Sequence, residues 1–124
     1  GVAAKGSPIL IRSAQLQYSK QANAIHYSGH VTLESADIRM ASETLDMTLD
    51  AAGKQVERAD AKGKLEIQQG GRWARGDAAQ YHLSPGMIVV TGNPALLYDP
   101  ARGKSAAARL TFFTADDRIL LESR

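Results

Sequence analysis

Three histidines, one acidic pair and a Gly-Lys-Ser triplet are the groups whose types and spacing could do chemistry in this chain. A metal site needs several ligands converging at about 2.1 Å from one ion. His26 and His30 fall on one face of the strand read below, but the extended chain between them holds them about 13 Å apart. They cannot share an ion unaided, so exposed strand histidines, with His82 as the third, are the plain reading. Gly103-Lys104-Ser105 copies the end of a phosphate-binding loop, yet that motif needs a glycine where Tyr98 stands. Asp116-Asp117 belongs to a hairpin turn, where aspartate accepts backbone N–H bonds. No G-x-S-x-G presents a nucleophilic serine, and no carboxylate pair is marked out for glycosidic chemistry. Cysteine is absent, which excludes disulfides, thiolate zinc sites and a cysteine nucleophile. These residues predict no catalysis, no metal and no cofactor.

The elements that would position a binding site are strands. Ile25, Tyr27, Gly29, Val31 and Leu33 alternate with His26, Ser28, His30, Thr32 and Glu34, and Ala59, Ala61, Gly63, Leu65 and Ile67 alternate with Asp60, Lys62, Lys64 and Glu66. Period two means a strand with one buried face. Residues 87–98 are apolar at both parities, which predicts a more covered strand. Turn signals at residues 50–54, 84–86, 99–103 and 115–117 punctuate the chain. The alanine-rich residues 104–110 have helical propensity but are short, and the strand pattern resumes at residues 111–113. At 124 residues the chain fits one domain, expected over residues 9–124, with residues 1–8 a flexible N-terminal segment or an expression remnant. No apolar run approaches the roughly 18 residues of a membrane-spanning helix. The net charge of +2 is scattered singly, which argues against nucleic acid as a partner, although Arg72, Arg75, Arg102, Lys104 and Arg109 fall within one stretch and could meet an anionic ligand; a solvated mixed surface is the plain reading.

A repeat emerges when the strands are aligned on a small residue, an apolar or alanine position three later, and a bulky one after one more. Its copies are Ser13, Leu16, Tyr18; Ser42, Leu45, Met47; Gly76, Ala79, Tyr81; and Ala107, Leu110, Phe112. A glycine follows the first three copies inside the next strand, at Gly29, Gly63 and Gly92, and predicts bends, bulges or close backbone approach.

The run Val56-Glu57-Arg58-Ala59-Asp60-Ala61-Lys62-Gly63-Lys64-Leu65-Glu66-Ile67, then Gln68-Gln69-Gly70-Gly71-Arg72-Trp73-Ala74-Arg75-Gly76-Asp77, and Val90-Thr91-Gly92-Asn93-Pro94 resemble the OstA-like family. That is the family of the periplasmic lipopolysaccharide-transport protein LptA and of the LptD N-terminal domain. The resemblance spans roughly residues 9–123 and is sharpest over residues 56–94. It implies an all-β fold, an open twisted β-jellyroll of repeated short antiparallel strands, whose apolar interior carries lipopolysaccharide acyl chains across the periplasm without chemical change. The implied ligand contacts are Leu16, Tyr18, Ile25, Tyr27, Val31, Leu33, Leu45, Met47, Leu65, Ile67, Tyr81, Ile88, Val90 and Phe112. The implied partners are lipopolysaccharide, transport proteins with OstA-like or LptC-like domains, and a head-to-tail homo-oligomer. One departure is Ala79 where the other copies carry leucine, with Trp73 just before it; Trp73 either caps a lipid groove or simply packs. The rival expectation is a bridging β-module whose interior is filled by its own side chains, and an outsider is a carbohydrate-active enzyme on a β-sandwich. Whether the chain is LptA-like, LptC-like or a domain of a larger protein stays open at this level.

Overall fold

The computed structural model describes residues 8–116 and 118–123. Apart from Pro8, the segment expected at residues 1–8 lies outside them, as does Asp117 of the acidic pair. Every regular element among the described residues is a strand: β1 (Ile9–Arg12), β2 (Gln15–Ser19), β3 (Ala24–Ser35), β4 (Ile38–Leu49), β5 (Val56–Gln69), β6 (Arg72–His82), β7 (Met87–Asp99), β8 (Gly103–Phe113) and β9 (Ile119–Glu122). They form one nine-stranded sheet in the order β1-β3-β4-β5-β6-β7-β8-β9. All pairs are antiparallel, and β1 and β2 lie end to end along the free side of β3. The sheet does not close on itself: β1 and β2 form one edge and β9 the other.

A line of bends gives this sheet its interior. Strands β3 to β8 are 11 to 14 residues long, and each ladder between neighbours carries a register shift near its middle. On β3 the break holds Gly29 and His30 at φ of 82° and 48°; on β5 it holds Gly63 and Lys64 at 89° and 45°. Only glycine enters that left-handed region without steric cost. Space forbids a larger residue as well. A Cβ on Gly29 would lie 2.6 Å from the Ala14 Cβ, and one on Gly63 would fall on the Glu43 side chain.

The sequence repeat is this same line seen along the chain. On an unbroken strand, residues three apart point to opposite faces; one extra residue in a bulge returns them to the same face. Ser42 and Leu45, Gly76 and Ala79, and Ala107 and Leu110 therefore all lie on the inner face, one on each side of the bend. The first copy, Ser13 and Leu16, spans the gap between β1 and β2, where the Ala14 N–H donates to the Gly29 carbonyl at 2.9 Å. In the first two copies the serine hydroxyl donates to the carbonyl two residues on, Ser13 to Gln15 at 2.8 Å and Ser42 to Thr44 at 2.9 Å.

One expectation needs correction. Residues 87–98 are not covered on both faces, because no second layer lies over the outer side of β7, and Leu96 there is 41% exposed. The alanine-rich residues 104–110 are strand throughout. Pairing with β7 along nearly the whole of β8 outweighs a helical preference of a few tenths of a kcal/mol per residue. The tight β3–β4 turn at Ala36 and Asp37, with Ala36 at φ 52°, carries none of the glycine or proline signals that marked the other turns.

Candidate functional site

The register builds two continuous rungs across the inner face. The first runs Leu16, Tyr27, Leu45, Ala61, Ala79, Val90, Leu110, Leu121, and the second runs Tyr18, Ile25, Met47, Ala59, Tyr81, Ile88, Phe112, Ile119. Beyond the bend a third runs Ile11, Leu33, Met40, Ile67, Ala74, Leu97 and Ser105. Directly opposed residues of an antiparallel pair share a face, so these rungs form a trough of hydrocarbon from one sheet edge to the other. Both halves contribute to a single apolar cluster.

The implied ligand contacts fall into three groups along this trough. Val31, Leu45, Met47, Leu65, Ile67 and Val90 are buried, at 0–8% exposure, and form the floor. Ile25, Tyr27, Leu33, Tyr81, Ile88 and Phe112 are half-buried on the same face. Leu16 and Tyr18 also share the face, but β2 has no neighbour on its outer side, and each is 57% exposed. The trough also uses residues that the sequence reading did not include, chiefly Ile38, Leu97 and Leu110. Leu110 was legible, since it stands at the repeat position of Leu16 and Leu45. Ile38 and Leu97 lie beyond the bend, where no repeat position pointed to them.

At one end the two halves approach each other. Ile38, Ile67 and Ala74 line, together with Ile88 and Phe112, a narrow cleft that opens to solvent. Between its walls there is room for about one water molecule. Gln69, Arg72 and Trp73 border the same opening. The Trp73 ring stacks on Tyr98 with centroids 5.6 Å apart, and the Arg75 guanidinium lies 4.4 Å from its centre on the outer face. Trp73 thus packs at the rim instead of reaching across the cleft.

Charge is sorted by face. His26 and Asp46 (2.5 Å), Arg58 and Asp60 (3.0 Å), Arg75 and Glu66 (2.8 Å), and Arg109 and Glu122 (4.0 Å) pair at outward positions. Such exposed pairs are screened by water and contribute little to stability. His30 lies in the β3 bulge, and no three His, Asp or Glu among the described residues group as metal ligands. Within the trough, burial pushes the Tyr27 and Tyr81 phenols above the ordinary tyrosine value, so both stay neutral. Asp116 accepts the Arg118 N–H at 2.9 Å and its guanidinium Nε at 2.9 Å. The backbone bond above all holds that carboxyl below its usual range, as a turn aspartate requires.

A family model described as LptA/(LptD N-terminal domain) LPS transport protein matches residues 10–121. The chain belongs to that family. Among solved structures, one that matches is LptH from Pseudomonas aeruginosa, described as the LptA homologous periplasmic component of the conserved lipopolysaccharide transport device. It superposes with a TM-score of 0.80 at 16% identity, covering 92% of this chain and 81% of that one. At that identity the likeness speaks for the fold, and the bent open sheet is the β-jellyroll of the LptA family. No curated protein matches the sequence.

Proposed function

We propose that this chain holds the acyl chains of lipopolysaccharide along its trough and passes the molecule on unchanged, in the periplasm, as one segment of a transport bridge. The observation that carries this reading is the continuity of the two rungs from Leu16 and Tyr18 at one open edge to Leu121 and Ile119 at the other. A fatty chain laid along them meets hydrocarbon at every strand, and each buried methylene contributes about 0.8 kcal/mol. The sorting of charge supports transfer over catalysis. The strand carboxylates Asp46, Asp60, Glu66 and Glu122 are engaged with cations on the outer face, away from where a lipid would lie.

The narrowness of the cleft favours the second reading, a bridge whose interior is filled by its own side chains. Carriage requires the two halves to part, and an open sheet with unpaired edges lets them. Native mass spectrometry of protein purified from a lipopolysaccharide-producing host separates the two readings. A carrier retains a lipid adduct with the mass of lipopolysaccharide or lipid A, and a filled bridge retains none.

Edge pairing between copies, or with other jellyroll domains of the transport machinery, follows from the same architecture. Leu10 and Leu120 are 48% and 47% exposed on the outermost strands β1 and β9. Open edges recruit strands, and an edge proline or lysine blocks recruitment. Leu10→Pro and Leu120→Lys are therefore expected to shift a concentration-dependent oligomer toward monomer in sedimentation velocity. Unchanged profiles for both would count against edge pairing.

A further inference from the structure

Arginines on the strands of this sheet point outward, with one exception. Arg12, Arg39, Arg58, Arg75 and Arg109 occupy outward register positions, opposite Thr32, Glu34, Thr48, Glu66 and Thr91 respectively. Arg72 opens β6 at an inward position, two residues before the buried Ala74 and directly opposite Gln69, which in turn faces Ile38. It borders the cleft between Ile67 and Phe112. Its Nη2 donates to the Gln69 Oε1 at 3.0 Å, and it forms no ion pair among the described residues. Asp99, the last residue of β7, accepts the Ala101 N–H at 2.8 Å.

A guanidinium is always charged and carries five N–H donors in a planar fork. Among the described residues the Arg72 hydrogen bond goes to a neutral amide and no carboxylate forms an ion pair with it. A half-buried cation at the mouth of an apolar slot suits a ligand with an oxyanion at one end and hydrocarbon at the other. Phosphate meets the fork with two parallel charge-assisted bonds and keeps its remaining oxygens toward solvent.

We infer that Arg72, oriented by Gln69, is the headgroup subsite of the trough and takes a phosphate of an acylated lipid whose chains run onto Ile38, Ile67, Ile88 and Phe112. This inference rests on the carrier reading and adds a direction to it: the head sits at the β5–β6 turn and the tails lie between the two halves of the sheet.

The test compares affinities of the full chain for bisphosphorylated lipid A and for the same lipid with its phosphates removed. Wild type is expected to prefer the phosphorylated form by about tenfold, since a charge-assisted bond contributes at least that factor. Arg72→Ala and Arg72→Gln should bring the ratio to about one, Arg72→Lys should keep part of it, and outer-face Arg58→Ala should keep all of it. Thermal melting of each variant checks that it folds, and the glutamine variant retains a polar side chain if the alanine variant does not. Preference kept by both Arg72→Ala and Arg72→Gln, or absent in a wild type that binds both lipids, overturns the subsite and leaves the carrier intact. A wild type that binds neither lipid overturns both. Inorganic phosphate titrated alone distinguishes a lipid head from a free anion: saturable, Arg72-dependent binding of phosphate at micromolar concentration would overturn the lipid assignment.

Discussion

A photo-crosslinking side chain placed at Tyr27, Leu33, Ile88 or Phe112 is expected to capture lipopolysaccharide, and one at His26, Glu34, Val89 or Glu66 is expected to capture little. The first set lies on the inner face and is half-buried, so a probe there reaches the trough without filling the floor. Each outward position is a chain neighbour of an inward one, for instance Val89 beside Ile88, so a single residue step reverses the outcome. Fully buried Leu45, Leu65 and Leu110 are poorer probe sites, because a bulky side chain would overpack a floor that is 0–2% exposed. The filled-bridge reading predicts no capture at either set. Binding through outer-face charge predicts capture at Glu34 and Glu66, near Arg39 and Arg75. Equal capture at neighbouring positions of opposite parity would discard the trough, whatever the total amount of lipid bound.

The parts of this site legible in the sequence are those governed by local geometry. Alternation around Ile25 and Leu65 placed those residues on the inner face because side-chain direction on a strand follows from chain position alone. The glycines that follow the repeat announced the bend, two of them, Gly29 and Gly63, lying in it at positive φ; the spacing of three between two inward residues is the trace of the bulge's extra residue. Exposure was not legible. Leu16, Leu45 and Leu110 occupy one position of the repeat, yet Leu16 is 57% exposed and the others are at 1% and 0%. The difference lies in strand neighbours, which are tertiary: β2 pairs only with β3, while β4 and β8 are paired on both sides. The same gap hid the direction of Arg72. Its sign and its place near a glycine turn were plain, but its inward direction depends on the pairing of Arg72 with Gln69. It also misplaced residues 87–98, whose outward apolar side chains suggested a covering layer that the fold does not supply.

That difference in neighbours predicts a large difference in stability between two leucines of the same repeat. Leu110→Ala is expected to destabilise the fold by about 2–5 kcal/mol, the range for removing a fully buried leucine whose surroundings relax only in part. Leu110 lies between Val90 and Leu121 on the first rung, and its 0% exposure leaves no solvent to fill the space. Leu16→Ala, in the dilute monomer, should cost no more than about 0.5 kcal/mol, as for an exposed side chain with few partners. Urea unfolding followed by circular dichroism measures both, and an unchanged slope would show that the denatured states are comparable. Concentration separates the edge from the floor. If a second sheet adds at β2, Leu16 becomes covered, so its penalty should grow as protein concentration rises while that of Leu110 stays constant. A Leu16→Ala cost as large as that of Leu110→Ala under monomeric conditions would mean that the edge is already covered within one chain. The trough would then be closed at the end where a lipid is to enter or leave.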